Sequence, residues 1–164
     1  MTVNTTTRPN GSLSEQVPIC EDTIEHLKMI QATVARLAGN SFLVKGWSIT
    51  LSAALFALAA KDANPLFALI ALLPAVSFWG LDAYYLRHER LFRRLYDHVR
   101  LAAHDHAKME DSFSLSTSRC TAEVPSWFRT LWSPAILWLH GAVIVTTILV
   151  VVVLSAVQVF NWLR

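Results

Sequence analysis

His104, Asp105 and His106 set two imidazoles around a carboxylate, residue types that hold a divalent metal or pass a proton between acid and base. Their spacing argues against both. On a helix, residues two apart leave the axis about 200° apart, so the two rings cannot close on one ion within a chain. The two cysteines, Cys20 and Cys120, have no ligand spacing, and the five glycines form no phosphate-binding loop or nucleophile elbow. No metal, cofactor or catalytic residue is expected, and no enzymatic activity.

Other groups suit chemistry at a membrane. Asp82 lies in Phe78-Trp79-Gly80-Leu81-Asp82-Ala83-Tyr84-Tyr85, where a carboxylate is costly unless it is paired or faces water. An ion pair with Lys45 and a pore or gating role are both open. At 100° per residue, His140, Thr147, Ser155, Gln158 and Asn161 fall within about 60° either side of one direction, opposite Val, Ile and Leu. Such a stripe either joins helices or lines a water-filled lumen built by several copies. Over residues 83–100, five arginines (Arg87, Arg90, Arg93, Arg94 and Arg100) oppose only Glu89 and Asp97. Over residues 101–123 the balance reverses, with Asp105, Glu110, Asp111 and Glu123 against Lys108 and Arg119. The basic stretch suits anionic lipid headgroups or the phosphates of a nucleotide or oligonucleotide.

The elements that carry these groups follow from the apolar runs. Residues 134–163 contain no Asp, Glu, Lys or Arg. At about 1.5 Å per residue they make roughly 45 Å of helix, enough to cross a ~30 Å hydrocarbon core. Hydrophobic residues are 54% and charged residues 16% of the chain, far from the roughly 25% charged of soluble domains. Two shorter runs, 46–60 and 66–81, are separated by Lys61-Asp62-Ala63-Asn64-Pro65, which breaks helix and turns the chain. Completed by flanking residues, they form a hairpin of two spans over 40–86, with Pro74 placed to kink the second. The expected fold is an all-α membrane protein, three transmembrane helices with a cytoplasmic helical region, assembled as a homo-oligomer. A soluble helical bundle with an apolar tail is the alternative, since a run of about fifteen residues also suits a buried core helix.

The remaining segments divide accordingly. Residues 1–20 read as a flexible tail without the apolar core of a leader, and 21–39 as a cytoplasmic helix. Asp22 and Glu25 make a capping box for it, and Ile24, Leu27, Ile30, Val34 and Leu37 recur at helical spacing before Gly39-Asn40. Residues 83–111 extend the second span, with a packing seam at Tyr85, His88, Phe92, Leu95, Val99 and Ala102. Residues 112–133 read as a Ser/Thr-rich linker followed by interfacial aromatics, Trp127, Phe128 and Trp132 among them, ahead of the third span at 134–163. The arginines place the N-terminus and middle segment in the cytoplasm and the C-terminus outside. Both cysteines then face a reducing compartment, and no disulfide is expected.

Two stretches carry a resemblance: Arg36-Leu37-Ala38-Gly39-Asn40-Ser41 leading to Lys45-Gly46-Trp47, and Leu81-Asp82-Ala83-Tyr84-Tyr85-Leu86-Arg87-His88-Glu89-Arg90-Leu91-Phe92-Arg93-Arg94-Leu95-Tyr96. They resemble a family of small bacterial membrane proteins found beside antiviral defence genes, in particular the membrane effectors of Hailong-type anti-phage systems. The likeness extends over roughly residues 20–160 and concerns layout as much as motif. It implies a homotetrameric ion channel whose opening collapses the membrane potential and stops the infected cell. It further implies a DNA oligomer, made by a partner nucleotidyltransferase, that keeps the channel closed. On that resemblance Arg87, Arg90, Arg93 and Arg94 would face the ligand, and Asp105, Glu110 and Asp111 would form an electronegative cytosolic gate. A pore opened by a cyclic nucleotide and a noncatalytic membrane adaptor are the rival readings.

Overall fold

The computed structural model describes residues 21–62, 64–104 and 113–164, with the side chain of His104 left out. The described chain is all-helical: α1 (Glu21–Asp62), α2 (Pro65–Ile70), α3 (Leu72–His104), a 3-10 turn (Ser118–Cys120), α4 (Trp127–Leu131) and α5 (Pro134–Trp162). Three helical stretches, Glu21–Asp62, Pro65–Ala103 and Pro134–Trp162, are long and apolar enough to cross a membrane.

α1 differs from the sequence expectation at both its start and its middle. Asp22 lies inside the first turn with Glu21, where a carboxylate complements the helix dipole without serving as the cap. The expected boundary at Gly39-Asn40 is absent, because α1 runs unbroken through it. A glycine in a helix costs only about 1 kcal/mol, and the packing of α1 along α3 outweighs it. Chain reversal comes where the sequence puts it. The Asn64 N–H donates to the Ala59 carbonyl (3.2 Å), its side-chain oxygen accepts from the Leu66 N–H (2.9 Å), and Pro65 opens α2.

Pro74 interrupts the second long stretch. Lacking an N–H, it leaves the Ile70 carbonyl without its helical donor, and α2 gives way to α3 at Ala71. Beyond this break α3 continues as one helix to His104, the long extension predicted for the second span.

Small side chains let the apolar parts of the helices approach closely. Ser41, Ser48, Ser52 and Ala59 are buried along one face of α1, opposite buried Ala68, Ala71, Ala75 and Ala83. α5 adds buried Ile136, His140 and Thr147, whereas its lipid-compatible surface stays open, with Val145, Leu149 and Phe160 exposed.

The stretch expected to be a linker is, from residue 113 on, folded back on α3. Cys120 and Val124 pack with Leu91 and Leu95 in one apolar cluster. The Trp127 indole donates to the Gly80 carbonyl (3.2 Å), and Trp79 donates to the Leu131 carbonyl (3.0 Å). Phe128, Trp132 and Trp138 remain largely exposed, as interfacial aromatics are. Of the predicted α3 seam only Val99 is fully buried; Leu91, one position off that seam, is covered to the same extent because residues 113–133 supply its neighbours. Leu91→Ala should therefore destabilise the fold by about 2–5 kcal/mol. A lowered melting temperature in detergent, with new protease cuts within residues 113–133, is the expected result.

Candidate functional site

Ser41 and Lys45 stand one turn apart on α1 and point to the same side, toward Asp82 of α3. The Lys45 ammonium donates to Asp82 Oδ1 at 2.6 Å and to Ser41 Oγ at 2.7 Å, while the Ser41 hydroxyl donates to the same carboxylate oxygen. From α5, His140 Nε2 approaches the other oxygen, Oδ2, at 3.3 Å. The carboxylate only accepts, so Nε2 carries the proton of this contact. The Asp82 and His140 side chains have no exposed surface, whereas Lys45 keeps 27%. All three long helical stretches thus meet at one buried ionisable cluster. Among the described residues His140 Nδ1 has no hydrogen-bond partner, nor do the hydroxyls of Ser48 and Ser52 further along α1.

The remaining residues of the α5 stripe part company. Thr147 is buried and its hydroxyl donates to the Val143 carbonyl (2.8 Å). Ser155 is half-buried, and Gln158 and Asn161 are exposed. The stripe therefore faces the chain's own helices at its start and leaves them toward its end.

The arginines are engaged one by one. Arg87 donates to the Pro125 carbonyl (3.3 Å) and Arg90 to the Ser133 hydroxyl (3.1 Å), fastening α3 to the segment that enters α5. Arg93 pairs with Glu89 at 2.7 Å and Arg94 reaches Glu123 at 4.0 Å, their side chains 64% and 53% exposed. Arg90, Arg93 and Arg94 line one concavity of about 380 Å³ together with Asp97 and Glu123, so its charge is mixed. Asp105, Glu110 and Asp111 lie outside the described residues.

A second polar cluster was not foreseen. His98 Nε2 lies 3.0 Å from Glu123 Oε1, and its Nδ1 lies 3.6 Å from the Cys120 sulfur. Burial pushes the Cys120 thiol up, and the nearby Glu123 carboxylate adds to this while Arg94 offsets part of it. A fully buried thiol with a raised pKa is a poor nucleophile, so this trio closes the fold of residues 113–125 onto α3. Among the described residues no group of three or more His, Cys, Asp or Glu is placed to hold a metal ion.

Sequence reasoning paired Asp82 with Lys45 but missed Ser41, the contact of His140 with Asp82, and the His98–Glu123–Cys120 trio. The i, i+4 spacing of Ser41 and Lys45 was a usable signal. Nothing local joins residue 98 to residue 123. Comparison with known proteins found no matching family model, no matching curated protein and no matching solved structure.

Two outcomes follow. Lys45→Met alone strands a buried carboxylate and should destabilise the protein by about 3 kcal/mol, the lower end for a broken buried pair because Lys45 is partly exposed. Combining it with Asp82→Leu should recover most of that loss, as read by thermal unfolding in detergent. In a Cys20→Ser background, Cys120 should react with a maleimide at pH 7 at less than about a tenth of the rate seen after denaturation.

Proposed function

We propose that the chain is the protomer of an oligomeric ion channel in the bacterial inner membrane, an effector of antiviral defence whose opening depolarises the cell. The observation that carries permeation is the Asp82–Lys45–His140 cluster. Ionisable groups buried where candidate spans meet are characteristic of ion and proton paths, since their desolvation is otherwise unrewarded. Three spans in one copy enclose little aqueous space, so several copies around an axis, a tetramer by the resemblance, supply the lumen. The exposed polar end of α5, with Ser155, Gln158 and Asn161, is the part of that helix available to line it.

The arginine end of α3 lies in the cytoplasm in this reading, and the C-terminus outside. Control comes from a nucleotide-derived ligand, a DNA oligomer made by a partner nucleotidyltransferase, which holds the channel shut. Arg93 and Arg94 are the better ligand-facing candidates of the four, being the more exposed, while Arg87 and Arg90 fasten the fold. An adaptor role has one observation in its favour, the long extension of α1 and α3 past the apolar segment, which offers a surface to a soluble partner.

Expression alone in bacteria should dissipate the membrane potential, followed with a potential-sensitive dye, before growth stops. Growth arrest at intact potential would remove the channel and leave the adaptor. Ser155→Leu, Gln158→Leu and Asn161→Leu together should abolish conductance in reconstituted bilayers while the oligomer persists. Loss of assembly instead would make this end of α5 a helix contact. Arg93→Glu with Arg94→Glu should weaken oligonucleotide binding and shrink its salt dependence by about one unit of slope per lost phosphate contact. A ligand that closes the channel then leaves the variant toxic beside its partner enzyme, whereas an opening ligand leaves it silent.

A further inference from the structure

One face of α1 carries polar side chains from the Asp82 cluster into the apolar segment. At 100° per residue, Ser41, Lys45, Ser48 and Ser52 fall within about 60° of one another. Ser41 and Lys45 are bound to Asp82, whereas the hydroxyls of Ser48 and Ser52, residues 0% and 2% exposed, have no hydrogen-bond partner among the described residues. A helix offers such a hydroxyl the carbonyl one turn earlier, which Thr50 and Thr147 take and these two do not. His140 adds a third atom of this kind: its Nε2 is held on Asp82 Oδ2, and its Nδ1 is buried and unpartnered among the described residues. Each buried polar group left unpaired costs about 1–3 kcal/mol. Close helix packing alone is served as well by alanine, the residue at Ala59, Ala68, Ala71 and Ala75 of the same interface. Along the helix axes Ser48 lies roughly 40 Å from Glu21, Ser52 roughly 15 Å from Asp62 and Asp82 roughly 33 Å from His104, so the chain bordering the undescribed stretches is remote from these atoms.

Charge balance at the cluster suits a proton. With the ring proton on Nε2, Nδ1 is a buried base. α3 brings Asp82 to the ring, α1 brings Lys45, and α2, Pro65–Ile70, has no ionisable side chain. Carboxylate and ammonium cancel, so a proton arriving at Nδ1 adds one net charge and keeps Asp82 against it. Size gives the same answer. Ser48, Ala68, Ala71 and Ala75 have no surface open even to water, and parting these helices by the width of one water admits a proton-carrying chain but no hydrated metal ion.

The polar face reaches part of the way across. Lys45 to Ser52 and His140 to Thr147 each advance about 10 Å along their helices. The roughly 15 Å from Ser52 to Asp62 is apolar on its buried side, where Ala59 lies, and such a stretch conducts only when wetted. A protomer in this conformation is shut.

We propose that the ion carried at this cluster is the proton, passed within each protomer along Ser52 and Ser48 to His140 Nδ1 by single waters admitted on opening; this rests on the reading of the chain as a channel. Uptake at Nδ1 gives the imidazolium, with Nε2–H still on Asp82 Oδ2. Loss of the same proton to water reaching half-buried Lys45 restores the neutral ring, and inward flow depolarises the cell. For the test, full-length protein alone is reconstituted in vesicles of phosphatidylethanolamine and phosphatidylglycerol. Proton entry is followed with a trapped pH dye after the outside is acidified, valinomycin being present to balance charge, and potassium efflux is followed in parallel vesicles with a protonophore. Ser48→Ala with Ser52→Ala should lower proton entry tenfold or more, change potassium efflux less than twofold and leave thermal unfolding in detergent unchanged. His140→Gln, which keeps an N–H for Asp82 but takes up no proton, should also lower proton entry tenfold or more. Unchanged proton entry in either variant overturns the proposal, as does a parallel fall of both fluxes in the serine variant, which would make Ser48 and Ser52 supports of a common lumen. Potassium efflux without proton entry in the unaltered protein overturns the proposal and leaves the channel standing, whereas absence of both fluxes removes the channel as well.

Discussion

A carboxylate with no access to water, on a helix apolar enough to cross a bilayer, must find its counter-charge and hydrogen-bond donors within the protein. Asp82 draws them from two other helices: the ammonium and hydroxyl of Lys45 and Ser41 on α1, and the imidazole of His140 on α5. Position along all three helices is constrained together. A shift of α1 by one residue would turn Lys45 through about 100° and away from Asp82, and a shift of α5 would withdraw the ring from Oδ2. Ala83 and the buried serines of α1 belong to the same interface, because only small side chains bring the helices close enough for such short contacts.

The arginine end of the molecule is organised by a different kind of contact. Apolar packing of Leu91 with Cys120 and Val124 covers α3 there, and polar groups on the same segment fix its course: Arg87 on the Pro125 carbonyl, Arg90 on Ser133, His98 on Glu123. Two exchanged indole bonds, Trp127 to Gly80 and Trp79 to Leu131, carry the same segment past these contacts to within a turn of Asp82 on α3. Residues 113–133 therefore connect the extension of α3 to the start of α5, and a change at one end has a continuous packed route to the other. That route is spatial; energetic coupling along it is a separate property, open to mutant cycles.

Parts of the candidate site were legible because they follow from one-dimensional rules. Asp82 beside an apolar run announced a need for a partner, and the hairpin turn brought Lys45 to similar depth. His140 was legible as a member of a polar stripe but not as a ligand of Asp82, since helical periodicity gives a direction around α5 without saying which neighbour lies there. The arginines were legible as a charge cluster, yet their division into fold-fastening Arg87 and Arg90 and more exposed Arg93 and Arg94 depends on where residues 123–133 return. Ser114, Ser116 and Ser118 looked like linker composition, and only their placement over α1 and α3 makes them the wall of a cavity.

Length and polarity of the apolar runs by themselves determined three helices able to cross a membrane, the reversal at Asn64-Pro65, the break caused by Pro74 and the continuation of α3 beyond the apolar segment. These are local: each is dictated by backbone hydrogen bonding and by the run of side chains within a few turns. The sequence was misleading at Gly39-Asn40, where a weak local preference for ending the helix is overridden by packing along α3. Tertiary structure alone decided that His140 meets Asp82, that residues 113–133 form a belt, and that Leu91 is more deeply covered than most of its predicted seam. Each of those joins residues at least 22 positions apart, as His98 and Cys120 are, and closing such a distance depends on burial shared among several helices.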